Sequence, residues 1–242
     1  MITTAVILAA GMGSRIKDKF DDRPKGFINI GGQSIIERSL DILESNGITK
    51  IIVGTGHLSK HYEDLAHTRS ITCMKNTLFD SSGSFYTLYN MQDILEKDFI
   101  LLESDLVYES KAVSNIITHP RQDVILASGK TNSGDEVFIE TDANHYLRAL
   151  SKDVGKVSNI YGELVGISKI SIKTYQKLCT WAQNHSEIAK QIHYEEAIAI
   201  NCKETPIYIE RVKDLVWSEI DTAQQFEVAR DTIFPKIVSK EQ

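Results

Sequence analysis

The run Leu8-Ala9-Ala10-Gly11-Met12-Gly13-Ser14-Arg15, followed by Arg23-Pro24-Lys25, sets glycines and cations close together. Glycine lets backbone N–H groups approach an anion, and Arg15 and Lys25 can neutralise its charge, so the chemistry is that of a phosphate-binding loop. Two better-known loops do not fit. A P-loop needs Gly-Lys followed by Ser or Thr, which Gly13-Ser14-Arg15 lacks. A Rossmann fingerprint needs a third glycine where Ile16 stands. Two acids complete the set: Asp105 follows the apolar run Phe99-Ile100-Leu101-Leu102, and Asp221 follows Val216 to Ile220. Carboxylates at strand ends suit a hard cation such as Mg²⁺, although Asp221-Thr222-Ala223 also has the form of a helix start.

These residues need elements to hold them. Ala5 to Leu8 predicts a buried parallel strand ending in the glycine loop. Ser34-Ile35-Ile36-Glu37 has capping-box spacing and opens a helix with Ile35, Ile36, Leu40 and Leu43 on its apolar face. Strands are expected at 51–53, 71–74 and 99–102, with helices at 57–65 and 84–95 between them. That alternation means right-handed βαβ units. Further on, 124–127 and 162–167 read as strands, 137–140 and 146–150 as a hairpin, 175–181 and 194–200 as helices, and 206–212 and 216–220 as late strands. The expected fold class is α/β, a doubly wound Rossmann-like mixed sheet with a small substrate-facing β lobe. Residues 1–242 form one domain, 1–120 binding nucleotide and 121–242 the acceptor. Ligands of such sheets lie at the carboxyl ends of strands, where both the glycine loop and Asp105 fall.

Composition bounds the function. A chain of 242 residues with 42% hydrophobic and 25% charged residues is ordinary for a globular domain with one sizeable core. A formal net charge of −6 argues against nucleic acid or an anionic membrane as the main partner. Cys73, Cys179 and Cys202 have no metal-like spacing, and the odd count fits a reducing cytoplasm. The first apolar run is too short for a signal peptide or a membrane span.

The pattern L-A-A-G-M-G-S-R followed by R-P-K-G-F resembles the signature of nucleotidyltransferases that activate sugar phosphates, choline phosphate and related small anions. Within them the chain resembles choline-phosphate cytidylyltransferases at Asn76 to Leu88. More closely it resembles phosphonate-specific cytidylyltransferases acting on 2-aminoethylphosphonate, at Gly54 to His57, Leu102 to Leu106, Ser133 to Val137, Gly162 to Ile167, Tyr194-Glu195 and Trp217 to Asp221. The resemblance implies an enzyme joining CMP from CTP to the acceptor, for phosphonate decoration of lipids or glycans, with Mg²⁺ as cofactor on Asp105 and Asp221. It implies nucleotide contacts at Leu8, Ala9, Ala10, Gly11, Met12, Gly13, Ser14, Arg15, Lys25, Thr55, Gly56, Ser82, Gly83, Ser84 and Asp105. Lys25 and Arg15 are then the catalytic cations. In some bacteria the module it resembles is fused to an aminotransferase, so the resemblance allows fusion to or association with one, and an oligomer as well.

The acceptor follows from chemistry. A primary ammonium has three N–H donors and prefers carboxylates, whereas choline is best held by aromatic faces. Where the choline-phosphate enzymes carry tryptophan beside Glu136, this chain has Val137, and the surroundings offer Asp135, Glu136, Glu163 and Glu195. Lys152 is a second cation for the acceptor anion. Trp217, with Tyr161 and Tyr194, leaves choline phosphate as the alternative, followed by a sugar phosphate. A nucleotide-sugar glycosyltransferase, with Glu103-Ser104-Asp105 as its metal motif, is a competing class, as is a catalytically silent nucleotide-binding module.

Overall fold

Ala5, Val6, Ile7 and Leu8 are all buried at the middle of the sheet, because helices cover both faces. Val6 and Leu8 join Phe85, Leu88 and Met91 in one core. Ala5, Ile7 and Ala9 join Ile36, Leu40 and Leu43 in the other. A strand sealed on both sides must be apolar at every position, which is why this run shows no alternation.

The computed structural model describes residues 2–20 and 23–242. The strands are β1 (Thr4–Ala9), β2 (Asn29–Ile30), β3 (Gln33–Ser34), β4 (Lys50–Thr55), β5 (Ile71–Lys75), β6 (Phe99–Glu103), β7 (Leu106–Tyr108), β8 (Val124–Ser128), β9 (Phe138–Thr141), β10 (Leu147–Ser151), β11 (Gly162–Ile170), β12 (Tyr208–Val212) and β13 (Trp217–Glu219). The helices are α1 (Lys17–Phe20), α2 (Ile35–Ser45), α3 (Lys60–Leu65), α4 (Ser84–Tyr89), α5 (Lys111–Thr118), α6 (Ile172–Asn184), α7 (Ser186–Gln191), α8 (Tyr194–Asn201), α9 (Ala223–Val228) and α10 (Phe234–Glu241).

Among the described residues the main sheet has nine strands and runs β5-β4-β1-β6-β11. The pairs within β5-β4-β1-β6 are parallel. β11 is antiparallel to β6 and to β9, which share one of its edges, and to β8 on the other. β9 and β10 form the hairpin, and β12 lies parallel to β8. This is the doubly wound mixed sheet expected.

Three local differences have physical reasons. The helix expected to reach Leu95 ends at Tyr89, where Asn90 caps it; Met91 and Leu95 still enter the core, from successive turns. The segment expected to be helical from His57 begins its helix only at Lys60, because Leu58 turns with φ +51°. Beyond Thr222 the chain forms α9, a π-helical stretch over Ala229–Ile233, and α10, none of which was expected past the helix start.

Candidate active site

The carboxyl end of β1 opens into a cavity of about 500 Å³, with Leu8, Ala9, Ala10, Gly11, Arg15 and Lys25 in its wall. Gly13 takes φ +59°, a conformation that side chains disfavour, and its carbonyl accepts the Ile16 N–H at 3.1 Å. Ile16 is buried with Ile28 and Ile220, which ties down the end of the loop. Met12 and Gly13 face a shallow adjoining depression, and Ser14 is exposed and lines neither space. Thr55 is wholly buried and does not reach the cavity. Gly56 serves as a spacer: a Cβ there would lie 2.7 Å from the Ala10 carbonyl oxygen.

Lys25 stands on a 3-10 turn over Lys25–Phe27, started by Pro24. Its ammonium donates to Asp105 Oδ2 at 2.6 Å and also to Asp221 Oδ1. A two-stranded ribbon brings these distant aspartates together. β13 pairs antiparallel with β7, Glu219 opposite Leu106, and the Ile220 N–H donates to the Asp105 carbonyl at 3.0 Å. Arg15 reaches the same cluster, one guanidinium nitrogen on Asp221 and the other on Asp135 Oδ2 at 2.7 Å. Burial opposes charge on Lys25, but Asp105 and Asp221 override it and raise its pKa. Burial would likewise raise Asp221, and the Lys25 ammonium instead holds it down at about 2.

Two glutamates complete the cluster: Glu103, expected from sequence only in the competing metal motif Glu103-Ser104-Asp105, and Glu219, which was not among the expected site residues. Glu103 closes β6, accepts the Tyr194 hydroxyl at 2.7 Å, and lies over Gly166 where a Cβ would come within 2.8 Å. Burial, then Asp105 and Glu195, push Glu103 up to about 8. Burial, then Asp105 and Glu103, push Glu219 up to about 10. The signal in the sequence was the two-residue strand period, which puts Glu103 beside Asp105 and Glu219 beside Asp221. Glu103, Asp105 and Glu219 bring carboxylate oxygens within 4.8 Å of one another, as do Asp135, Glu219 and Asp221. An all-oxygen set with excess negative charge fits a hard divalent cation.

The residues expected to bind the acceptor all line this cavity, in different states. Asp135 is gripped by Arg15 and by Lys152, whose ammonium lies 2.7 Å from Oδ1. Glu163 is buried and accepts the Thr131 N–H and hydroxyl at 2.8 and 2.7 Å, so it braces a loop. Glu136, Glu195 and Trp217 face the open space, whereas Tyr161 turns away toward Arg211 and His145. Ser82, Gly83 and Ser84 form the opposite wall at the start of α4. Gly83 has no room for a side chain, since a Cβ would meet the Ile192 carbonyl at 2.0 Å. Ser84 Oγ meets His193 Nδ1 at 3.2 Å and accepts the Tyr194 N–H at 3.1 Å.

A family model described as the MobA-like NTP transferase domain matches residues 5–166. The chain belongs to this family. A MobA-like NTP transferase domain is an enzyme of the nucleotidyltransferase type, and the match spans the glycine loop, Lys25 and Asp105. A choline-phosphate cytidylyltransferase of Streptococcus pneumoniae is 22% identical over 224 residues, 92% of this chain and 94% of that protein. A 2-aminoethylphosphonate cytidylyltransferase of Lancefieldella rimae is 24% identical over 230 residues, 92% of this chain and 90% of its own. The solved inositol-1-phosphate CTP transferase from T. maritima superposes with a TM-score of 0.82 at 14% identity, covering 99% of this chain and 96% of that one, a likeness of fold. Among the described residues no helix of this MobA-like domain is long and apolar enough to cross a membrane.

Proposed function

We propose that this chain transfers CMP from CTP to 2-aminoethylphosphonate, releasing pyrophosphate. The observation that carries the reading is one cavity that combines the glycine loop and its cations with a wall of acidic side chains, Glu103, Glu136 and Glu195. Triphosphate and phosphonate need the former, and a primary ammonium finds acceptors on the latter. Relatives named as cytidylyltransferases support the choice of nucleotide.

In this reading the triphosphate lies over Gly11 to Arg15 and the cytosine toward Ser82 to Ser84. A phosphonate oxygen attacks the α-phosphorus; that P–O bond forms as the bond to pyrophosphate breaks, and the electron pair leaves with pyrophosphate. The nucleophile is already anionic, so no side chain has to take a proton from it. Lys25 offsets the repulsion between the two anions and the charge that develops during transfer. Positioning on a rigid strand end supplies the rest. Asp105, Asp221 and Glu219 would hold a divalent cation, Mg²⁺ in our reading, which when bound supplies charge neutralisation at phosphate oxygens.

Choline phosphate is the second reading, favoured by Trp217 and Tyr194 in the same wall. With saturating CTP, kcat/KM for 2-aminoethylphosphonate should exceed that for choline phosphate by tenfold or more. The reverse order would make choline phosphate the acceptor.

A further inference from the structure

Residues 131–137 form a loop fixed at both ends. Thr131 is held by Glu163, and the Val137 carbonyl accepts the Leu164 N–H at 2.9 Å. Between them Asn132 and Gly134 turn with φ +58° and +86°, a backbone that folds the tip back on itself. Asp135 at that tip reaches out of the loop to Arg15 Nη1 and Lys152 Nζ, each at 2.7 Å, while its own N–H faces Ser133 Oγ at 3.4 Å.

Two cations from separate elements, the glycine loop and the end of β10, thus converge on the two oxygens of one carboxylate at the cavity rim. Arg15 and Lys152 are each about half exposed, at 52% and 54%, whereas Asp135 is 18% exposed. The carboxylate also faces that of Asp221, a like charge that weakens its hold. A planar carboxylate spanning two cations has the reach and charge of one edge of a tetrahedral oxyanion.

We infer that Asp135, spanning Arg15 and Lys152, acts as an internal competitor that holds the place of a substrate's phosphate or phosphonate group until that group arrives. Asp135 then sets the threshold for anion entry and is not a ligand for the acceptor's ammonium. The proposed transfer bears on this only in deciding which substrate brings the oxyanion, so the test uses binding without turnover and stands even if no transfer is found.

Calorimetric titration of the whole protein with pyrophosphate and, separately, with methylphosphonate, which has no ammonium, measures the subsite. Exposed ion pairs are weak, so Asp135→Asn should tighten binding of at least one probe by about threefold to tenfold. A gain with pyrophosphate assigns the subsite to the triphosphate, and a gain with methylphosphonate assigns it to the acceptor. Glu187→Gln removes the same charge from an exposed helix outside the cavity and should change affinity less than twofold. The double variant Asp135→Asn, Lys152→Gln should lose the gain. Unchanged or weaker binding of both probes in Asp135→Asn would overturn the inference. An equal gain in Glu187→Gln, or a gain that survives loss of Lys152, would do the same.

Discussion

Lys25 is pinned between Asp105 and Asp221, so its charge is present and oriented before any phosphate arrives. Lys25→Ala, assayed with a divalent cation, should lower kcat by about 10²–10³ with the circular dichroism of the wild type. A kcat near wild type would remove Lys25 from its role. The crowded acids around it make metal-free stability depend on pH. Glu103 at about 8 and Glu219 at about 10 keep protons in the folded state that the unfolded chain, with ordinary values of 4.5, has already released. The folded state therefore binds more protons than the unfolded one from about pH 5 upward, and stability falls as pH rises toward 10. Glu219→Gln should flatten that fall. Urea midpoints of chelator-treated protein at about pH 5.5 and 8.5 check this, and equal midpoints in the wild type would contradict it.

At the scale of elements, the site depends on two features of the last third of the chain. The β7–β13 ribbon delivers Glu219 and Asp221 to Asp105, and the C-terminal helices wall the cavity with Val228 and Ile233. Those two residues are five apart, the hydrogen-bond spacing of the π-helical stretch between them, whereas an α-helical reading separates them by well over a quarter turn. The segment's buried face, Phe226, Ala229, Ile233 and Ile237, nevertheless keeps the three- and four-residue spacing of a helix. The first strand, the glycine loop and α2 were legible because each is contiguous and obeys its own period. Asp105 and Asp221 could each be read as a strand end, but nothing local says that Lys25 sits between residues 80 and 196 positions away. Glu163 was legible as an acid and not as a loop brace, since its partner Thr131 lies across a strand pairing. The C-terminal helix is seated by Phe234, which fills the place of a side chain at Gly31; a Cβ there would lie 2.0 Å from the ring. Gly31 also has φ +65°, so Gly31→Ala combines left-handed strain with overpacking. The expected cost is about 2–4 kcal/mol in urea unfolding. A loss under about 0.5 kcal/mol would mean that the helix is not seated there.

Across the whole molecule, a net charge of −6 coexists with a cavity lined by three cations, Arg15, Lys25 and Lys152. Only the local field decides what binds. The half of the chain through β6 supplies the glycine loop, the wall at Ser82–Ser84 and Lys25, and the half beyond it supplies the carboxylates Glu163, Glu195, Glu219 and Asp221; β11 paired to β6 makes them one surface. Transfer of CMP from CTP to a small phosphonate releases pyrophosphate, and that release is the quantity to measure. ATP, CTP, GTP and UTP are each incubated with 2-aminoethylphosphonate and with choline phosphate in the presence of Mg²⁺. Release above background is expected with CTP and 2-aminoethylphosphonate, and with no other pair at comparable rate. No release from any pair, or release that follows another nucleotide, would contradict it.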